Sequence, residues 1–338
     1  MKIPSLATCL DFVKKRRWRL LVYVALLTIA FILERNGDHA GGNGGSMSDA
    51  ARTTYQRVST LGYRKTKDRY TRLILLDDNP DSGHDPRSVA HNACTRRLYL
   101  AKLVQALDVQ SASVIVLDFR FEADCHAEDR VLADAISRTA QHVPVVLGQN
   151  SETVSAVRRQ RPATYIGSGI HDGDLVPQTP SLSGTVGAAA YGLTMLAADT
   201  RLVPLQWTIA TSGSDASRIT ERRLQDGLAF AAATAHERSL RDEPKLNWYM
   251  KRGEFPMTSF VPEGKFPQQT GLDLLCKDED RLKWEDCTPK HDPESTFKGH
   301  VALIGYGDNA GGDMHDSVLG SVPGVVLQAN YIESLVSG

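Results

Sequence analysis

The sequence predicts an α/β fold: a mixed, largely parallel sheet flanked by helices, preceded by one N-terminal transmembrane anchor helix. Three observations predict it. Between residues 71 and 150 short apolar runs alternate with helix-periodic segments, as strand, helix, strand, helix, strand. Near the C-terminus "KGHVALIGYG" supplies one more buried-type strand, and "PGVVLQANYIESLVSG" a closing helix. At the N-terminus an unbroken apolar run, Leu20 to Leu33, follows Lys14, Lys15, Arg16, Arg17 and Arg19. The chain of 338 residues, 41% hydrophobic and 23% charged, has ample apolar material for one large domain or two ordinary ones.

The N-terminal elements come first. The apolar run is shorter than the ~20 residues a span normally needs, but Trp18 suits the interface and Arg19 can snorkel. No small-x-small site follows it, so an uncleaved signal anchor over 18–34 is preferred to a cleaved signal peptide. "RRWRLL" matches a twin-arginine signal poorly, because Arg19 stands where an aromatic residue is wanted. Residues 1–17 then stay in the cytoplasm, and everything beyond about residue 35 faces outward. Residues 35–48 form a Gly-rich linker, and 49–69 read as a polar helix. The partner expected at 18–34 is the membrane itself.

The sheet elements follow. "TRLILLDDN" (71–79) is a strand ending in two aspartates. In "CTRRLYLAKLVQALD", Leu100, Leu103, Val104 and Leu107 share a helical face. "SASVIVLDFRF" (111–121) is the second strand. "HAEDRVLADAISRTA" is the second helix, with face Val131, Leu132, Ala135 and Ile136; Glu128 and Asp129 in its first turn favour the dipole. "VPVVLGQN" (143–150) is the third strand. Residues 184–207 read as two strands around an Ala-Asp-Thr-Arg turn, and 217–237 as one helix of small apolar residues. Residues 246–260 read as extended, and 262–297, charged and Pro-rich, as a disulfide-bearing insertion. In the last helix Val325, Ala329, Ile332 and Val336 form one face, and Pro323 suits its start.

Cysteine usage agrees with export. Cys9 lies on the cytoplasmic side; Cys94, Cys125, Cys276 and Cys287 lie beyond the anchor. Four cysteines in an oxidising compartment suggest two disulfides, for which three pairings are open. The local pair Cys276–Cys287 closes a short charged loop, and Cys94 then pairs with Cys125. Zinc spacing is absent: there is no C-x-x-C.

Two motifs carry candidate chemistry. "VALIGYGDNAGGDMHDS" (301–317) resembles a strand feeding a phosphate-cradling glycine loop, but a dinucleotide fingerprint follows the first strand and opens straight into a helix. Here polar sequence intervenes and no P-loop Lys-Ser/Thr follows, so the glycines are read as aids to close backbone packing. The second motif is a carboxylate set. Asp77 and Asp78 end the first strand, Asp118 the second, and Asp313 and Asp316 follow the last; His315 joins them, with Arg87 and His91 on the first connection. If the strands are parallel, these residues share the carboxyl edge of the sheet, where ligands of open α/β folds bind. Such a set could hold a divalent cation through oxygen ligands or act as an acid/base pair. It could equally cap helices and satisfy loop amides, which is the preferred reading. No nucleophile sits in a G-x-S-x-G elbow, so no catalytic residue is assigned and no cofactor is predicted beyond that cation. With 39 basic and 40 acidic residues, no basic excess points to nucleic acid.

The order of these features resembles the CHASE-type extracellular sensory domains, second class, of bacterial transmembrane signalling proteins. "LILLDDN" is similar to the family's first strand, "DPRSVAHNACTRRLYLAKLVQAL" to its Pro-Arg-Ser helix, and "VIVLDFRF" to its hydrophobic-Asp-x-x-Phe strand. "MLAADTRLVPL" is similar to its Asp-to-Pro-Leu hairpin with a shortened turn. "KGHVALIGYGDNAGGDMHDS" with the final helix resembles its closing strand, Asp-bearing loop and helix. The cover is roughly 50–338. "GHDPRS" departs from the Trp-Pro usually found there, and 262–297 looks inserted. The resemblance implies a sensor outside the bacterial cytoplasmic membrane, in the periplasm of a single-pass protein. It also implies an output partner in the membrane or cytoplasm, because family members continue into further transmembrane helices and an output domain. That partner would lie beyond "SLVSG" or on another chain; self-association is a further expectation. Two rivals stand beside the sensor: an exported metal-assisted hydrolase using the aspartates, and a structural assembly module of a membrane complex.

Overall fold

The computed structural model describes residues 69–76, 92–121, 125–160, 165–178, 182, 189–197, 200, 202–212, 218–240, 254–257, 259–275, 284, 297–307, 313–317 and 320–337. All belong to one compact unit spanning 65–338. The segments expected as anchor, linker and polar helix (18–68), and Cys276 and Cys287, lie outside the described residues. Among the described residues no helix is long and apolar enough to cross a membrane.

In chain order the strands are β1 (Thr71–Leu76), β2 (Val114–Leu117), β3 (Val145–Gln149), β4 (Ser151–Thr153), β5 (Tyr165–Ile166), β6 (Leu175–Pro177), β7 (Ala190–Leu193), β8 (Leu202–Pro204), β9 (Gln206–Ser212), β10 (Arg218–Asp226), β11 (Glu254–Pro256), β12 (Gln268–Thr270), β13 (Val301–Tyr306), β14 (Met314–Ser317) and β15 (Gly320–Pro323). The helices are α1 (Ala93–Val109), α2 (His126–Thr139), α3 (Val154–Gln160), α4 (Leu228–Leu240), α5 (Gly271–Leu275) and α6 (Gly324–Ser337).

The central sheet has the order β12-β1-β13-β2-β3-β7, and every pairing in it is parallel. Parallel strands are covered on both faces, which is why β1, β2, β3 and β13 read as near-continuous apolar runs. Ile74, Leu76, Ile115, Leu117, Val145, Leu147, Ala302 and Ile304 pack on one face with α1 and α2. Helices α4 and α6 contact each other and cover the other face. The strand that closes the fold, β13, lies between the first two, so the carboxyl ends of β1, β13 and β2 are neighbours.

Helices α1 and α2 are clamped together. Asn92 caps α1, its Oδ1 accepting from the amides of Cys94 and Thr95 at 3.0 Å. The Cys94–Cys125 disulfide joins the start of α1 to the residue that caps α2. Beneath it, Arg97 Nε donates to Asp129 Oδ1 at 2.7 Å, with the two side chains 1% and 9% exposed. Asp129 Oδ2 also accepts from the Cys125 amide, and the Arg97 guanidinium lies over the Phe121 ring. The acidic first turn of α2 was thus read correctly as an N-terminal feature, but Asp129 is a buried partner. Val131, placed on the apolar face by its spacing, is 46% exposed; Ala133 and Thr139 are buried instead.

Two other expectations change. The stretch 217–237 is a strand followed by a helix: β10 pairs antiparallel with β9 across seven residue pairs, and α4 starts at Leu228. The charged run Arg218–Asp226 has good helical propensity, yet a strand partner outside the window decides its state. The two strands within 184–207 do not pair with each other. β7 joins the central sheet beside β3, and β8 pairs with β11. The region 262–297, read as an insertion, contributes β12, an edge strand parallel to β1, and α5, which packs on α1.

Helix α6 is buried all round from Gly324 to Leu335, not on the single face that Val325, Ala329, Ile332 and Val336 define. Its polar residues serve the neighbouring chain. Asn330 Oδ1 accepts from the Val261 amide at 2.6 Å while Nδ2 donates to the Val261 carbonyl, and Ser334 Oγ accepts from the Ser259 amide. Gly305 explains how close α6 comes to β13: a Cβ there would lie 2.6 Å from Val325 Cγ2. Gly305→Ala is therefore expected to destabilise the fold by about 1–3 kcal/mol. Val325→Ala in the same chain should recover most of that loss, and urea unfolding of the four chains of the cycle measures it.

Candidate functional site

Parallel strands end at one edge, and the connections after them form its rim. A cleft of about 430 Å³ opens there, within the range of small-molecule sites. The end of β2 supplies Asp118, Phe119 and Arg120, and α1 supplies Arg96. Tyr306 ends β13, and Thr194, Met195 and Leu196 follow β7. Asp313 and His315 come from the start of β14, and Gly324 and Gln328 from the first two turns of α6.

The aromatic wall is ordered by stacking. Phe119 meets Tyr306 edge-on at 5.1 Å, and the Arg96 guanidinium lies 5.1 Å from the centre of the Tyr306 ring. The acidic wall holds Asp118 and Asp313. His315 Nε2 is 2.8 Å from Asp313 Oδ1. The backbone carbonyl of Asp313 accepts from the Gly324 amide at 2.8 Å, and a Cβ on Gly324 would collide with the Asp313 carboxylate. A residue without a side chain is thus what lets the acid pack against the start of α6.

Asp118 is the electrostatic outlier. Burial, then the charge of Asp313, push its carboxyl up to about 7, and Arg120 only partly offsets them. A carboxyl held higher in the folded chain than in the unfolded one favours the folded state when protonated. That contribution is present below the ordinary carboxylate range, near pH 4, and is lost as pH rises through about 7. The stability of the native chain relative to Asp118→Asn should therefore fall between pH 4 and 8. A flat difference in urea midpoints over that range would contradict the shift.

Of the residues singled out in the sequence, Asp118, Asp313 and His315 meet in the cleft. Asp316 does not line it. Along β14 alternate side chains point to opposite faces, and Asp316 is exposed, its carbonyl accepting from Thr200 Oγ1. Asp77, Asp78, Arg87 and His91 lie outside the described residues. Among the described residues no three His, Cys, Asp or Glu side chains gather as a metal-ligand set. Sequence reasoning missed Arg96, Phe119, Arg120, Tyr306 and Gln328. Arg120 and Tyr306 stood at strand ends, a usable signal; Arg96 and Gln328 sit inside helices and are brought in only by packing.

At the opposite edge of the sheet, α6 ends beside the start of β1. Glu333 Oε1 accepts from the Thr71 amide at 2.7 Å in a buried setting. Burial raises the Glu333 carboxyl, while the Thr71 hydrogen bonds and the nearby Arg69 charge pull it back.

The model of the CHASE2 domain matches residues 56–338. The chain belongs to the CHASE2 family. No curated protein and no solved structure matches it. CHASE2 is a family of sensory domains of signalling proteins, so a sensory role fits this chain. The matched span includes the segment 262–297, and so the whole of the CHASE2 sheet described above.

Proposed function

We propose that this CHASE2 domain works outside the cytoplasmic membrane, binds a small ligand in the rim cleft, and passes the change along α6 to the chain leading into β1. The observation that carries this reading is the placement of α6. Its first turns supply Gly324 and Gln328 to the cleft, and Glu333 near its far end holds the Thr71 amide. Gly324 and Glu333 are separated by two and a half turns of this helix, a rise of about 14 Å. The residues before Thr71 lead back toward the apolar run at 18–34, the expected anchor. A ligand that favours one position of α6 would thereby bias the anchor-proximal chain and an output partner in the membrane or cytoplasm.

Coupling between two sites is reciprocal, so a disturbance at the base must reach the rim. Glu333→Ala removes the acceptor for the Thr71 amide. Hydrogen exchange is then expected to rise at Thr71 and also at 194–196 and 324–328. Leu132→Ala, which empties a fully buried site in α2, serves as a control brought to equal stability with denaturant. Rim exchange no greater in Glu333→Ala than in that control would refute the relay.

A further inference from the structure

We infer that the rim cleft is built for a small zwitterion of the amino-acid type, an ammonium and a carboxylate carried on one compact molecule. This rests on the reading of the cleft as a ligand site and adds the class of ligand.

Among the described residues the lining carries groups of both signs. Two guanidiniums, Arg96 and Arg120, face the same space as two carboxylates, Asp118 and Asp313, with His315 on the latter. A lining with guanidiniums on one side and carboxyl groups on another gains less from a ligand of one sign, because attraction by one wall is opposed by the other. It gains from a ligand that presents both. The fork of donors on a guanidinium suits a carboxylate, and paired carboxylates suit an ammonium. The acidic side also has an unmet demand. Burial first and the Asp313 charge second disfavour the Asp118 carboxylate, and the neighbouring Arg120 offsets them only in part. A ligand ammonium between Asp118 and Asp313 would supply the missing positive charge. The rest of the lining, Phe119, Tyr306, Met195 and Leu196, is apolar or aromatic and can take a hydrocarbon side chain. The volume of about 430 Å³ admits a free amino acid and leaves little room for a long peptide.

The reading has a pH signature. Among the described residues, the charged and titratable groups that line the cleft with Asp118 are Arg120 on its own connection, Arg96 on α1, Tyr306 at the end of β13, and Asp313 and His315 at β14. An ammonium beside Asp118 favours its ionised form, so binding should release a proton near neutrality. Affinity should strengthen from pH 6 to 8.

The test is calorimetric titration of the full chain in detergent micelles with leucine, phenylalanine, glutamate and glycine. Each of the first two is compared with its one-pole counterparts: isoamylamine and 4-methylpentanoate, phenethylamine and 3-phenylpropanoate. At least one zwitterion is expected to bind at least tenfold more tightly than both of its counterparts. Arg120→Met and Asp118→Asn should each weaken it by about tenfold or more, by loss of one charged contact, and Asp118→Asn should also abolish the pH dependence. An amine binding as well as its parent would make this a cation site, and a carboxylate doing so an anion site; either overturns the inference. So does the absence of binding by every amino acid to a chain whose unfolding transition is intact. The two readings fail separately. Zwitterion binding that leaves the exchange of Thr71 unchanged refutes the relay and keeps the ligand class. A relay seen in Glu333→Ala without zwitterion binding does the reverse.

Discussion

Asp129→Ala is expected to destabilise the domain by about 3–5 kcal/mol, the loss typical when one member of a buried ion pair is removed. The cause is the partner left behind. Arg97 is 1% exposed and lies beneath the first turn of α2 against the Phe121 ring. Without Asp129 the buried guanidinium loses the carboxylate held at 2.7 Å from it, and the Cys125 amide loses an acceptor as well. Replacing both partners with apolar residues, Arg97→Met with Asp129→Leu, should cost far less, because no charge is then stranded. Urea unfolding of the single and double variants reads the difference directly. A loss below about 1 kcal/mol for Asp129→Ala would mean that Arg97 escapes to water and that the clamp does not depend on the pair.

Removal of the Cys94–Cys125 bridge is expected to cost about 3–4 kcal/mol. Its ends are 31 residues apart, and closing a loop of that size restricts the unfolded chain by roughly that amount. Cys94→Ala with Cys125→Ala tests this by thermal and urea unfolding, and mild reductant on the native chain should lower its stability to match. The bridge and the Arg97–Asp129 pair hold the same two helix starts, so their losses should not add. The combined variant should show a coupling of about 0.5–3 kcal/mol. The functional consequence is local. Arg96, one of the two guanidiniums of the cleft, sits on α1 between Cys94 and Arg97, so loosening the clamp should also weaken whatever the cleft holds.

Much of the fold was legible in the chain because its signals are local. Apolar runs such as "LILL" and "VIVL", bounded by polar turn residues, suit strands covered on both faces, and the helical spacing of Leu100, Leu103, Val104 and Leu107 marks the face of α1. Ionisable residues at strand ends were legible for the same reason, since a parallel sheet gathers its carboxyl termini at one edge. Asp118, Asp313 and His315 therefore came out of the sequence as neighbours.

What escaped the sequence depended on partners distant in the chain. The segment 218–226 carries residues that favour a helix, and only its pairing with β9 makes it a strand. β12 lies within the charged stretch 262–297 and becomes a strand only because β1 offers it an edge. Asp129 looks like an ordinary first-turn acid until α1 places Arg97 against it. Asp316 has the same chemistry as Asp313, yet the alternation of β14 and its pairing with β15 leave it off the cleft. The sequence by itself determined the class of fold, the side of the sheet where a site would form and the membership in a family of sensors. Only the tertiary structure decided which residues share the cleft and that one helix joins its rim to the base of β1. The reason is physical: periodicity and propensity act within a few residues, whereas cross-strand pairing and helix docking unite residues hundreds of positions apart.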